Sequence, residues 1–332
     1  MKRRDFMKLS AGFGAAAALT PLSPVGAQTK SVFKASDVQP PGYPTVAATE
    51  NLGKKLEAAT NGRLSVQMFP SMQLGGEKET IEQTQIGAIQ MLRVSVGTMG
   101  PIVDDINVVN MPFLFRNTAH AQKMMDGPIG QELLDKITAS PNAGLVALSW
   151  MDSGARSLYN TKKPIKTIED LKGLKFRVIG NPIFVDMMNA LGGNGVAMGY
   201  DQVFSALQTG VIDGAENNPP SYVFSNHYTA AKYYSLTEHL IIPEVLVFSK
   251  KAWSTVSADD QSLIKKFARE AQLEERDLWN KYEKLAMEKA LAAGCQVSEI
   301  ADKKPFQDAV KPVWDKYGPK YQDMVKRIQA IA

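Results

Sequence analysis

Between Gly62 and Val96 the chain switches between two hydrophobic periods. Leu64, Val66 and Met68 recur at every second residue, the spacing of a strand with one buried face, and Pro70 ends the run. Gly75-Gly76-Glu77 then opens a helix through Ile81, Gln85 and Ile86 that stops near Gly87, and Ala88 to Val96 reads as a second strand. Strand, helix, strand in succession predicts βαβ units with parallel pairing.

The same logic returns further on. The pattern predicts a short helix over Lys166 to Leu171, a strand over Leu174 to Ile179 and a helix from Pro182 to Leu191. A helix from Val203 to Thr209, closed by Gly210, leads into a candidate strand, Val211 to Ala215. That strand should end at Glu216-Asn217-Asn218-Pro219-Pro220, where two prolines are expected to exclude both regular elements. In the strand containing Lys175-Phe176-Arg177-Val178, Leu174, Phe176 and Val178 alternate with two basic residues. If helices cover both faces of its sheet, Arg177 has no easy route to water. The longest feature runs from Ser257 to Ala293, with an N-cap at Ser257, acids at Asp259 and Asp260, and Gly294 at the far end. A helix of about 36 residues is about 54 Å long, so it should cross more than one domain or kink.

The 332 residues are enough for two domains, and 44% apolar with 22% charged is ordinary for a soluble globular chain. The first 27 residues read as an export signal, with a basic start, an apolar run and the small-residue cleavage pattern Val25-Gly26-Ala27. Arg3-Arg4-Asp5-Phe6-Met7-Lys8 resembles a twin-arginine signal, with a general secretory signal as the alternative. This segment carries four basic residues against one acid, hence three of the four net positive charges. A mature chain near neutrality has no electrostatic case for a nucleic-acid partner. Cys295 is the only cysteine, so an intramolecular disulfide and a Cys/His zinc site are excluded. His120, His227 and His239 lack metal-ligand spacing, and no cofactor is expected.

Motifs for catalysis are missing: no Gly-x-Ser-x-Gly, no His-Glu-x-x-His and no phosphate loop. Gly12-Phe13-Gly14-Ala15-Ala16-Ala17 imitates part of a dinucleotide fingerprint but lies in the export signal. What stands out is arginine in apolar company, at Arg93, Arg156 and Arg177. A guanidinium cannot discharge by deprotonation, so each must meet an internal acid or an anionic ligand. Three of them near strand ends suit an anion pocket, because open α/β sheets bind ligands there.

Several segments together carry a family resemblance: Leu171 to Val178, Ala206 to Asn217, Met111-Pro112-Phe113-Leu114-Phe115-Arg116, and the long helix. The mature chain resembles the extracytoplasmic solute-binding proteins of tripartite ATP-independent periplasmic (TRAP) transporters. The resemblance implies an α/β, two-lobe periplasmic binding protein fold with a hinge, a central cleft and a long lobe-spanning helix. It places lobe I at residues 28–153 plus 242–281, and lobe II at 154–241 plus 282–332. It implies a periplasmic, non-catalytic protein that closes on a small organic acid and delivers it to membrane subunits. By position in the motifs, Arg177 is the two-pronged partner of a ligand carboxylate, Arg156 a second pocket arginine, Asn217 a ligand hydrogen-bonder and Tyr200 a pocket aromatic.

Ser36 to Pro44, Gly76-Glu77-Lys78-Glu79, Asn217-Asn218 and Ser235 to His239 resemble the hexuronate branch, although Gln39 stands where histidine is expected. A uronate needs several hydroxyl partners, and Arg93, Glu77, Gln39 and Asn218 are suitable types. Glu77 equally suits a helix N-terminus, and Asn218 a turn cap. Another monocarboxylate (an aldonate, sialic acid or a 2-oxo acid) and an exported sugar-acid lyase or isomerase are the alternatives.

Overall fold

The computed structural model describes residues 30–332, so the export-signal reading lies outside the described residues. Eleven strands occur among them: β1 Ser31–Ser36, β2 Leu64–Phe69, β3 Met91–Ser95, β4 Leu145–Met151, β5 Arg156–Asn160, β6 Lys175–Val178, β7 Asn194–Ala197, β8 Gly214–Asn217, β9 Tyr233–Leu240, β10 Glu244–Ser249 and β11 Gln296–Glu299. They form two sheets, each the centre of one lobe. The first has the order β2-β1-β3-β10-β4, the second β11-β9-β5-β8-β6-β7.

The predicted parallel units are present. β1 pairs parallel with β2 and β3, and β6 pairs parallel with β7 and β8. The sheets are nevertheless mixed. β10 runs antiparallel to β3 and β4, and β5 runs antiparallel to β8 and β9. Both strands enter directly from the other sheet, β5 from β4 and β10 from β9. No crossover helix returns the chain to the starting end, so the parallel rule does not govern them.

The long helix is unbroken from Ala258 to Ala292. Ile264, Phe267, Ala268 and Ala271 join the first lobe's core, Trp279 packs on Tyr43, and Ala286 and Ala290 join the second lobe's core. One rigid element therefore touches both lobes.

Three expectations need correction. The strand read as Val211 to Ala215 starts three residues later and ends two later, at Gly214–Asn217. Pro219 and Pro220 do not exclude regular structure: they begin the helix Pro219–Phe224. At a helix's first turn a missing N–H costs nothing, and the proline φ suits it. Finally, residues 282–332 do not belong to the second lobe alone. Only β11 joins that sheet. Beyond it, Tyr317 donates to Asp186 in the second lobe, at 2.6 Å, while Tyr321 donates to Asp104 in the first, at 2.8 Å. The apolar stripe Tyr321, Met324, Val325 and Ile328 needs a surface to cover, and it joins a core cluster that draws on both lobes.

Candidate binding cleft

The two sheets face each other across a narrow cleft. The first lobe contributes Val38, Gln39, Glu77, Arg93, Ser95 and Glu244, and the second Arg156, Arg177, Tyr200, Asn217 and Ser221. Gln39 and Ser95 lie at the carboxyl ends of β1 and β3, and Asn217 at that of β8. This is where an open α/β sheet presents its binding groups. Of the eight residues nominated from sequence, seven line the cleft. Asn218 does not: its side chain accepts the Ser221 N–H at 2.8 Å and caps the helix Pro219–Phe224. Its use is structural because that helix needs a cap at this residue.

The three arginines have different surroundings. Arg93, on β3, is ringed by carboxylates: Asp37 at 2.7 Å, Glu244 at 2.9 Å and Glu77 at 3.2 Å. Glu77 also accepts the Ser95 N–H at 3.1 Å and the Thr98 hydroxyl, so it ties the start of the helix Glu77–Gln85 to β3. Burial pushes the Glu244 carboxyl up to about 7; Arg93 pulls it down and Glu77 adds repulsion.

Arg156, the first residue of β5, has its fork on Glu216, with Nε to Oε2 at 2.6 Å and Nη2 to Oε1 at 2.8 Å. Its Nη1 donates to Asn217 Oδ1 at 2.8 Å. Tyr234 donates to the Asn217 carbonyl at 2.8 Å, which fixes that residue's backbone. The Asn217 Nδ2 group makes no protein hydrogen bond among the described residues.

Arg177 has no such carboxylate. On β6, Phe176 and Val178 are fully buried on one face, and Lys175 is exposed. Arg177 turns to the other face and into the cleft, 4% exposed. Its Nε donates to the Met198 carbonyl at 2.9 Å, and its guanidinium lies 5.7 Å from the centre of the Tyr200 ring. No Asp or Glu lies within ion-pair distance of it among the described residues. Burial lowers its pKa, Glu216 opposes this and Arg156 adds to it. Both terminal amino groups, four N–H donors, make no protein hydrogen bond among the described residues.

Polar contacts span the lobes at one edge. Gln39 Nε2 donates to Ser221 Oγ at 3.4 Å, and the Tyr43 hydroxyl meets the same oxygen at 2.9 Å. Gln39 Oε1 is buried without a partner among the described residues. Tyr200 is held by its hydroxyl on Ser225 Oγ at 2.6 Å.

Sequence reasoning missed Asp37, Glu216, Glu244 and Ser221. Glu244 had a signal: it sits in Ile241-Ile242-Pro243-Glu244-Val245-Leu246, apolar company like that which marked the arginines. The histidines are structural. His227 contacts the Tyr159 hydroxyl at 2.7 Å and His239 the Thr237 hydroxyl at 2.8 Å, and burial pushes them down to about 3 and about 4. Among the described residues no cluster of three metal-ligating side chains exists, and no helix is long and apolar enough to cross a membrane.

Two α/β lobes, joined by several crossings and enclosing a cleft with a buried cation, Arg177, that meets no carboxylate among the described residues, define a two-lobe solute-binding protein. Residues 35–320 match the bacterial extracellular solute-binding protein family 7, and the chain belongs to that family. Among solved structures, the chain is similar to a TRAP periplasmic solute-binding protein of Pseudomonas putida F1 with bound D-glucuronate. The two are 56% identical, with a TM-score of 0.89 over 91% of this chain and 97% of that one. A Bradyrhizobium protein in complex with α/β-D-galacturonate is 46% identical, with a TM-score of 0.87 over 90% and 99%. A Citrobacter koseri protein offers two states. With bound D-glucuronate it is 47% identical, with a TM-score of 0.89 over 91% and 100%. Its apo, open structure gives 45% identity and a TM-score of 0.80 over 90% and 98%. The lobes of this chain are thus arranged more like the ligand-bound form.

Proposed function

We propose that the protein captures a hexuronate, glucuronate or galacturonate, in the periplasm and delivers it to the membrane subunits of a TRAP transporter. The observation that carries this reading is Arg177, a buried guanidinium whose two amino groups face the cleft without a protein carboxylate. A planar fork of this kind matches one carboxylate in two parallel hydrogen bonds. The solved relatives with bound hexuronates support the sugar-acid class.

In this reading Arg177 holds the ligand carboxylate, and Tyr200 keeps the guanidinium in place. Arg156, already forked on Glu216, orients Asn217, whose free Nδ2 donates to a ligand oxygen. Gln39 Oε1 and the carboxylates of Glu77 and Glu244 accept from sugar hydroxyls. Contacts from both lobes to one ligand favour the closed state over the open one. The lobes move about the crossings at 151–156 and 240–244 and along the helix Ala258–Ala292. In this reading capture and release are the whole cycle, as in the solute-binding relatives.

A thermal-shift screen over hexuronates, aldonates, 2-oxo acids and dicarboxylates tests the reading. A ligand at 100 times its Kd adds about 2.7 kcal/mol, several degrees for a chain of this size. The expected result is stabilisation by a hexuronate at micromolar concentration, with no consumption of the sugar. Silence of every hexuronate, or its chemical conversion, rules the proposal out.

A further inference from the structure

Counting the buried carboxylates behind its lining, Asp37 and Glu216, the cleft region holds more acid than base. Arg93, Arg156 and Arg177 are three cations, and Asp37, Glu77, Glu244 and Glu216 are the four carboxylates that face them. With every group ionised the set is negative by one. The imbalance is also one-sided: Glu216 is spent on Arg156 in the second lobe, whereas three carboxylates share the single Arg93 in the first.

One anionic group on the ligand is therefore matched by Arg177. A second anionic group reaching the first-lobe wall would meet Glu77 and Glu244, whose cation Arg93 is already shared. We propose that Glu77 and Glu244, fixed on Arg93, are specificity determinants that restrict the cleft to acids with a single carboxylate and reject aldarates. The inference rests on the reading in which Arg177 holds a hexuronate carboxylate. The same two side chains accept hydrogen bonds from a hydroxyl or hydrated aldehyde, so they attract what the uronate presents and repel what the aldarate presents.

The test exploits a pair of ligands that differ by one oxidation, D-glucuronate and D-glucarate. Like-charge juxtaposition costs several kcal/mol, so glucarate should bind the wild-type protein about a hundredfold more weakly or worse. Glu77→Gln keeps the local hydrogen bonds. The amide oxygen accepts from Arg93 and Ser95, and the amide nitrogen donates to the Thr98 hydroxyl, which can reverse its role. Arg93 retains Asp37 and Glu244. Glu244→Gln is the second variant.

Calorimetric titration, by competition for the weaker ligand, gives the glucuronate-to-glucarate ratio in each protein. Any cost of opening the sugar ring is common to wild type and variant and cancels when the ratios are compared. A narrowing of the gap by about tenfold or more in either variant is the expected result. Equal binding of the two ligands by the wild type overturns the inference. So does a gap that neither variant narrows, whether because the ratio stays fixed or because both lose glucuronate. Failure of the wild type to bind any hexuronate is a different outcome, and sinks the functional reading itself.

Discussion

Arg177 lies over Tyr200, its guanidinium 5.7 Å from the ring centre, while Glu216, the acid facing it, is forked onto Arg156. The quadrupole of one aromatic ring is a weak substitute for a counter-ion. The protein thus holds a buried charge ready for an anion, and the closed arrangement is complete only when the anion arrives.

Replacing that residue gives the first prediction. Arg177→Ala removes one partner of a buried charge pair, worth about 3–5 kcal/mol, or roughly 10²–10⁴ in affinity. Arg177→Lys keeps the charge but loses the fork and the bond to Met198, and should fall nearly as far. Near wild-type titration curves for Arg177→Ala would falsify the carboxylate assignment.

Glu216 should behave differently, because it supports the fold rather than the ligand directly. Glu216→Gln leaves Arg156 buried beside Arg177 with no carboxylate of its own. A loss of about 3 kcal/mol follows, or a Tm lower by about 10 °C, in urea and thermal unfolding. Unchanged stability would mean that Arg156 finds another counter-charge.

The pH dependence of binding follows from Glu244. Its carboxyl is raised to about 7, by burial first, with Arg93 opposing and Glu77, Asp37 and Arg156 nearby. An incoming anion raises it further, so binding takes up a proton. Affinity should therefore increase as pH falls from about 8 to about 6, by up to roughly tenfold per unit if a full proton is coupled. Glu244→Gln should flatten the curve. Titration in two buffers of different ionisation enthalpy measures the proton directly, and zero uptake at pH 7 excludes the linkage.

Much of this site was legible in the sequence, for a physical reason. A charged residue at an inward position of an apolar strand is a local signal, and it marked Arg93, Arg156 and Arg177 without any contact information. Their partners were not legible. Glu244 is 151 residues from Arg93 and Glu216 is 60 from Arg156, and nothing local says which buried acid meets which base. The same limit explains the fold's surprises. The periodicity of β10 reports a buried strand but not its direction, and the apolar stripe of Gln322–Gln329 reports a buried helix but not that its partner lies near residue 120. Pro219-Pro220 failed for a different reason, since the pair signals a helix start as readily as a break and only the preceding Asn218 cap separates the two.

Closure itself can be measured. Gln39 and Tyr43 from one lobe meet at Ser221 from the other, and these two contacts close one edge of the cleft. Neither is a charge pair, and each neutral hydrogen bond is worth about 1 kcal/mol net. Asn181 of the second lobe adds two more bonds across the lobes, to the Gly97 carbonyl and Asn107 Oδ1, so the contacts at Ser221 are only part of what holds them together. A hexuronate adds contacts to both walls, so its addition should reduce the radius of gyration in small-angle scattering. Ser221→Ala removes both bonds at this edge and should weaken ligand affinity by a few-fold to about tenfold while leaving the ligand-bound radius unchanged. Identical scattering with and without a ligand shown to bind would eliminate lobe closure as the capture step.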